Sequence, residues 1–99
     1  MITFCRTANV MPGQAGAAIE FAKKMQVFMK EAHGVELEIR LPFGGNPYRI
    51  SWVSRYPDMA ALDAFHLRIL ADQQYWKIVG EYTETFLPGS IDDQVWRTI

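Results

Sequence analysis

The sequence predicts a small α+β domain with the element order strand, helix, strand, strand, helix, strand. Three observations carry that prediction. Apolar residues alternate with a period of two over residues 2–11, 35–43 and 48–56. Between and after these stretches the period lengthens to three or four, over residues 14–33 and again from 58 onward. Turn-forming residues mark the changes: Met11-Pro12-Gly13, Gly34, Gly44-Gly45-Asn46-Pro47 and Pro57-Asp58.

The first strand is rich in Ile, Thr, Phe and Val and stops at Pro12-Gly13. In the first helix Ala18, Phe21, Ala22, Met25, Phe28, Met29 and Ala32 recur on one side, and Glu20, Lys23, Lys24 and Lys30 fall elsewhere. Gly34 is placed to cap its C-terminus. The second strand alternates Val35, Leu37, Ile39, Leu41 and Phe43 with Glu36, Glu38, Arg40 and Pro42. A short turn then makes it a hairpin with the third strand, where Tyr48, Ile50 and Trp52 share a face opposite Arg49, Ser51, Val53 and Arg55. If Phe43 pairs with Tyr48, Arg40 lies opposite Ser51 and Glu36 opposite Arg55. Asp58 is the expected N-cap of the second helix, whose apolar stripe is Leu62, Phe65, His66, Ile69 and Leu70. Residues 71–74 break it. A second helical piece runs through Tyr75, Trp76 and Val79 to about Phe86, and residues 91–98 read as the last strand.

With right-handed crossovers this order closes into a four-stranded antiparallel sheet with the helices on one face, the ferredoxin-like arrangement. The first strand is central, between the third and the fourth. The opposite face, carrying Cys5, Thr7, Asn9 and Val53, is too mixed to be ordinary solvent surface. Covering it calls for a partner sheet.

Composition sets the outer bounds. The chain has 99 residues, enough for one domain, 1–99, and marginal as an isolated monomer. Yet 49% of it is hydrophobic and 13% aromatic, more apolar material than one small core needs, which again points to a homodimer interface. The net charge of −1, with no basic stripe, argues against nucleic acid as a partner. The single cysteine, Cys5, rules out an internal disulfide and suits a reducing compartment. No signal peptide or membrane span is read at the N-terminus, so a cytoplasmic protein is expected.

The chain resembles the dimeric α+β barrel superfamily, which includes the antibiotic-biosynthesis-monooxygenase-like and NIPSNAP-like families. The likeness rests on the element order, the strand reaching Pro12-Gly13, Ser51-Trp52-Val53-Ser54 before a helix, the break at Leu70-Ala71-Asp72-Gln73-Gln74-Tyr75, and Phe86-Leu87-Pro88-Gly89-Ser90 before the last strand. It implies that two sheets pair into a barrel with the helices outside, and that active members use a cleft between helices and sheet. Haem-degrading members use an Asn on the first strand, a Trp on the second helix and a His after the break. Here Arg6 takes the Asn position, His66 falls near the Trp position, and no His follows the break. Haem degradation is therefore not expected, and no cofactor is.

Two residues are candidates for catalysis. Arg6 lies on the helix-facing side of the first strand with Ile2, Phe4, Ala8 and Val10. It either anchors a carboxylate, enolate or carbonyl oxygen in the cleft, or forms an internal salt bridge to a helix Asp or Glu. His66 lies on or beside the buried stripe. It is either a general base or a core histidine bonded to a carbonyl or a tyrosine. Trp52, Phe65, Tyr75, Trp76, Tyr82 and Phe86 either line a pocket for a flat apolar ligand or are plain core, with Tyr75 or Trp76 at the cleft mouth. The charged hairpin set Glu36, Glu38, Arg40, Arg49 and Arg55 reads as structural. His33 and His66 lack a spaced third ligand, so no metal site is expected. Three functions follow: a cofactor-independent monooxygenase-like or isomerase-like enzyme on a small aromatic or polyketide-like compound, a non-catalytic dimer binding a small molecule or a protein, or a purely structural or regulatory dimer.

Overall fold

The computed structural model describes residues 1–99. Its elements are β1 (Ile2–Asn9), α1 (Ala15–His33), β2 (Glu38–Arg40), β3 (Arg49–Tyr56), α2 (Met59–Leu70), α3 (Gln73–Gly80) and β4 (Asp92–Arg97). The strands form one antiparallel sheet in the order β2-β3-β1-β4, so β1 is central as expected. Ile2 and Tyr56 on the sheet pack with Met25 and Met29 of α1, Leu62 and Phe65 of α2 and Ile78 of α3. All three helices therefore share one face. A second cluster places Ala18 and Ala22 of α1 on Ala8, Ile50 and Trp52. The small alanines let α1 approach the sheet closely at that end, while the longer methionines hold it off at the other.

The helix ends obey their sequence signals. Gly34 adopts φ 67°, and the backbone N–H groups of Gly34 and Val35 return to the carbonyls of Lys30 and Met29. Asp58 Oδ1 accepts the N–H of Ala61 at 2.8 Å and caps α2. Asp58→Ala leaves that N–H to water, and urea unfolding should show a loss of about 0.5–2 kcal/mol. Asp72 caps α3 by accepting the N–H of Gln74, and its other oxygen lies 2.8 Å from Nε2 of His33. That contact ties the end of α1 to the break after α2.

The hairpin register is the expected one, with Arg40 opposite Ser51. The strand is much shorter than residues 35–43, however. On its inner side the chain bonds to α1 instead: Val35 N–H donates to Met29, and the Leu37 carbonyl accepts from Gln26 Nε2 at 2.8 Å. Beyond Arg40, Pro42 and Gly44-Gly45 end the ladder, and Phe43 is fully exposed. Glu36 therefore never faces Arg55. It reaches Lys30 at 3.5 Å, and Glu38 takes Arg40 and Arg55. Tyr48 belongs to the turn, not to β3.

The second helical piece ends at Gly80 rather than near Phe86. The cause is tertiary: Met11 N–H donates to the Thr85 carbonyl, Leu87 N–H donates to Asn9, and Val10 bridges Phe86. Leu70, expected on the buried stripe, is 59% exposed. No helix is long and apolar enough to cross a membrane.

Candidate functional site

A cavity of about 340 Å³ lies between the inner face of the sheet and the three helices. Seventeen residues line it and 14 of them are hydrophobic, so its few polar groups stand out. The floor is built from neighbouring cross-strand pairs of β1 and β3, Phe4 with Ser54 and Arg6 with Trp52, and Ala8 leaves space beyond them. Met25 and Met29 of α1, Phe65 and Ile69 of α2, and Tyr75 and Val79 of α3 enclose it. Phe86 closes one end, its ring 5.8 Å from that of Trp52.

Arg6 reaches this cavity because strand alternation turns it to the helix side. Its partner is Asp93 of β4, directly across the ladder, and not a helix acid as the salt-bridge reading of the sequence had it. Nε donates to Oδ1 at 2.8 Å and Nη2 to Oδ2 at 2.9 Å. This side-on pairing fixes the plane of the guanidinium and leaves its other N–H groups turned away from Asp93. The Asp93 bonds raise the pKa of Arg6 against the cost of burial, and Tyr75 adds a smaller favourable interaction. In return Arg6 holds the Asp93 carboxyl below the usual range. Both side chains keep more than a third of their surface exposed, so the pair sits at the mouth of the cavity, not sealed in the core.

His66 lies on the cavity side of α2. Its ring meets the edge of Phe4 with centroids 4.8 Å apart and lies 6.0 Å from Phe65. The guanidinium carbon of Arg6 is 5.7 Å from the centroid of the same Phe4 ring. Arg6 and His66 thus flank one phenyl ring. Burial lowers the pKa of His66, and the Arg6 charge pushes the same way, while Asp93 and Asp63 oppose them. The imidazole is neutral at pH 7, with a lone pair to receive a proton.

Of the expected pocket residues, Trp52, Phe65, Tyr75 and Phe86 line the cavity. Trp76 does not: it is half exposed, and its indole N–H caps the Leu70 carbonyl at 3.0 Å. Tyr82 packs on Phe21 outside the lining. Sequence reasoning missed Asp93, which only the β1–β4 register reveals. It also missed that the indole Nε1 of Trp52, though buried, has no hydrogen-bond partner. No cluster of three His, Cys, Asp or Glu side chains comes together.

No protein-family model and no curated protein matches the chain. Solved structures do. A nipsnap family protein of unknown function from Agrobacterium tumefaciens superposes with a TM-score of 0.83 at 13% identity, over 99% of this chain and 87% of that one. The chain has the fold of the dimeric α+β barrel proteins. An uncharacterized NIPSNAP domain protein from Burkholderia xenovorans matches with a TM-score of 0.74 at 18% identity, over 100% and 95% of the two chains. A putative antibiotic biosynthesis monooxygenase from Deinococcus radiodurans gives 0.72 at 8% identity, over 99% and 92%. Identities this low establish the fold of the chain and leave the chemistry to the site itself.

Proposed function

We propose that the chain is a cofactor-independent enzyme, isomerase-like or monooxygenase-like, acting on a small aromatic or polyketide-like carbonyl compound. One observation carries this reading. A neutral imidazole and a guanidinium clamped by Asp93 flank the same ring on the wall of an otherwise apolar cavity. In this reading His66 removes a proton from a carbon next to the carbonyl, and Arg6 holds the oxygen on which the negative charge collects. Return of the proton to a different atom of the enolate completes an isomerisation. The same enolate, met by dioxygen, is the starting species for an oxygenation without a cofactor. At about 340 Å³ the cavity is near the lower end of small-molecule sites, which suits one or two fused rings. Phe65 and Tyr75 supply flat apolar contacts to such a ring system.

The test is exchange of α-protons for deuterium, followed by NMR, with 2-tetralone and 1-phenylpropan-2-one in buffered D2O. The proposal expects exchange well above the buffer rate for at least one compound. Binding without any exchange would favour the non-catalytic ligand-binding reading and overturn this one.

The reading includes a homodimer. The sheet face away from the helices carries Cys5 and Thr7, both partly exposed, beside Trp96, which is 60% exposed, while Val53 on the same face is already buried within the chain. A second copy of the sheet would cover it. Light scattering should give twice the monomer mass, and Trp96→Arg should shift the population toward monomer. A monomeric wild type would remove the dimer from the proposal.

A further inference from the structure

His33, the last residue of α1, is a polar side chain only 9% exposed that the chemistry proposed above does not use. Its Nε2 lies 2.8 Å from Asp72 Oδ2. A carboxylate only accepts, so Nε2 carries a hydrogen and donates it. The ring is held by edge-to-face contacts with Phe28 and Phe65, with centroids 5.4 and 5.9 Å away. Both sides of this arrangement lead to the cavity. Phe65 lines it directly. Asp72 precedes α3 and accepts the N–H of Gln74 on Oδ1 at 2.9 Å, and the next residue, Tyr75, lines the cavity as well. Burial by itself would raise the Asp72 pKa, but the bonds from His33 and from the backbone N–H groups of Gln74 and Tyr75 outweigh it and hold the carboxyl below the usual range. The carboxylate thus grips the first turn of α3 as far as Tyr75.

Core packing does little to fix that turn. The one buried residue of α3 is Ile78, in its second half, and Gln73, Gln74 and Trp76 are exposed. The Trp76 indole N–H bonds the Leu70 carbonyl and so ties α3 back to α2. The tie to α1 is His33 on Asp72. We propose that His33 is a positioning residue for the cavity: through Asp72 it sets where the first turn of α3 places Tyr75, and with it the fit of a bound ring against Tyr75. This rests on the ligand-binding reading of the cavity and adds to it a residue outside the lining. A site keeps its geometry only when the residues behind its walls are themselves held.

The probe is 2-tetralone, with its Kd measured by NMR on the 15N-labelled full chain. His33→Ala should weaken it about tenfold, the equivalent of one hydrogen bond to a charged group. Asp72→Ser separates the two roles of the carboxylate, because serine still caps a helix but its single oxygen on a short side chain cannot also meet His33. It should weaken 2-tetralone by a similar factor, and adding His33→Ala to it should bring no further loss. His33→Gln, which keeps an N–H donor at a similar reach, should restore most of the affinity. Amide hydrogen exchange gives a readout without ligand: His33→Ala should speed exchange in residues 73–80 and leave the β1–β3 ladder at the wild-type rate. Wild-type affinity in both single variants overturns the inference and leaves the cavity reading standing. So does a double variant that loses the product of the two single losses, or exchange that quickens evenly through the chain. Failure of 2-tetralone to bind the wild type removes the cavity reading, and this inference with it.

Discussion

His66→Ala should slow the α-proton exchange by about 10²–10⁴-fold, the usual contribution of a positioned general base. The variant should still fold, because His66 is only partly buried and its contacts are the edges of Phe4 and Phe65. Retention of more than a tenth of the wild-type rate would remove His66 from the chemistry. The pH dependence gives a second readout. Burial, helped by Arg6, sets the pKa of His66 below the ordinary 6.5. The base therefore stays neutral to lower pH than a free histidine, and the acid limb of the rate profile should lie below pH 6.5. Stability follows with a definite sign. A histidine whose folded pKa is depressed stabilises the protein above its unfolded pKa, and that contribution is lost as pH falls through the folded value. Urea midpoints of the wild type should drop between pH 7 and the acid limb, and those of His66→Gln should drop less.

How much of this was legible beforehand depended on whether the signal was local. The two periods, the proline and glycine punctuation, and the Asp58 and Gly34 caps are properties of neighbouring residues; the caps appear where the sequence put them, whereas the strand period of residues 35–43 and the helical period beyond Gly80 outrun the elements that form. The hairpin register was also readable from the alternation on the two strands, although residues 41–48, not a short turn, connect them. Alternation placed Arg6 on the helix face. What alternation does not contain is the pairing of β1 with β4, strands 83 residues apart from Asn9 to Asp92. Asp92 and Asp93 are adjacent acids on opposite faces, and one step of register decides which of them meets Arg6. The late start of β2 and the early end of α3 were hidden for the same reason. Gln26 draws the Leu37 carbonyl off the ladder, and the end of β1 draws Thr85 and Leu87 away from the helix. The orphan donor of Trp52 is an absence of partners, which no sequence pattern encodes.

The Arg6–Asp93 pair offers the sharpest separation between a structural bridge and a working site, because its two halves act on His66 with opposite signs. Arg6 lowers the His66 pKa and Asp93 raises it. Arg6→Met should therefore move the His66 titration upward, and Asp93→Asn should move it further down, both read from the ring Cε1 proton by NMR. A bridge remote from His66 would shift neither. Stability should barely distinguish the variants, since a pair this exposed contributes about 0–1 kcal/mol. Turnover should distinguish them strongly. Arg6→Met removes the group that carries the developing oxyanion, and losses of about 10²–10³-fold are typical for such a donor. Asp93→Asn keeps the cation but loses the two charged bonds that fix its plane, so its loss should be smaller and largely restored in Asp93→Glu. Equal, small losses in all three variants, with an unmoved His66 titration, would mean that the pair merely fastens β4 to the sheet.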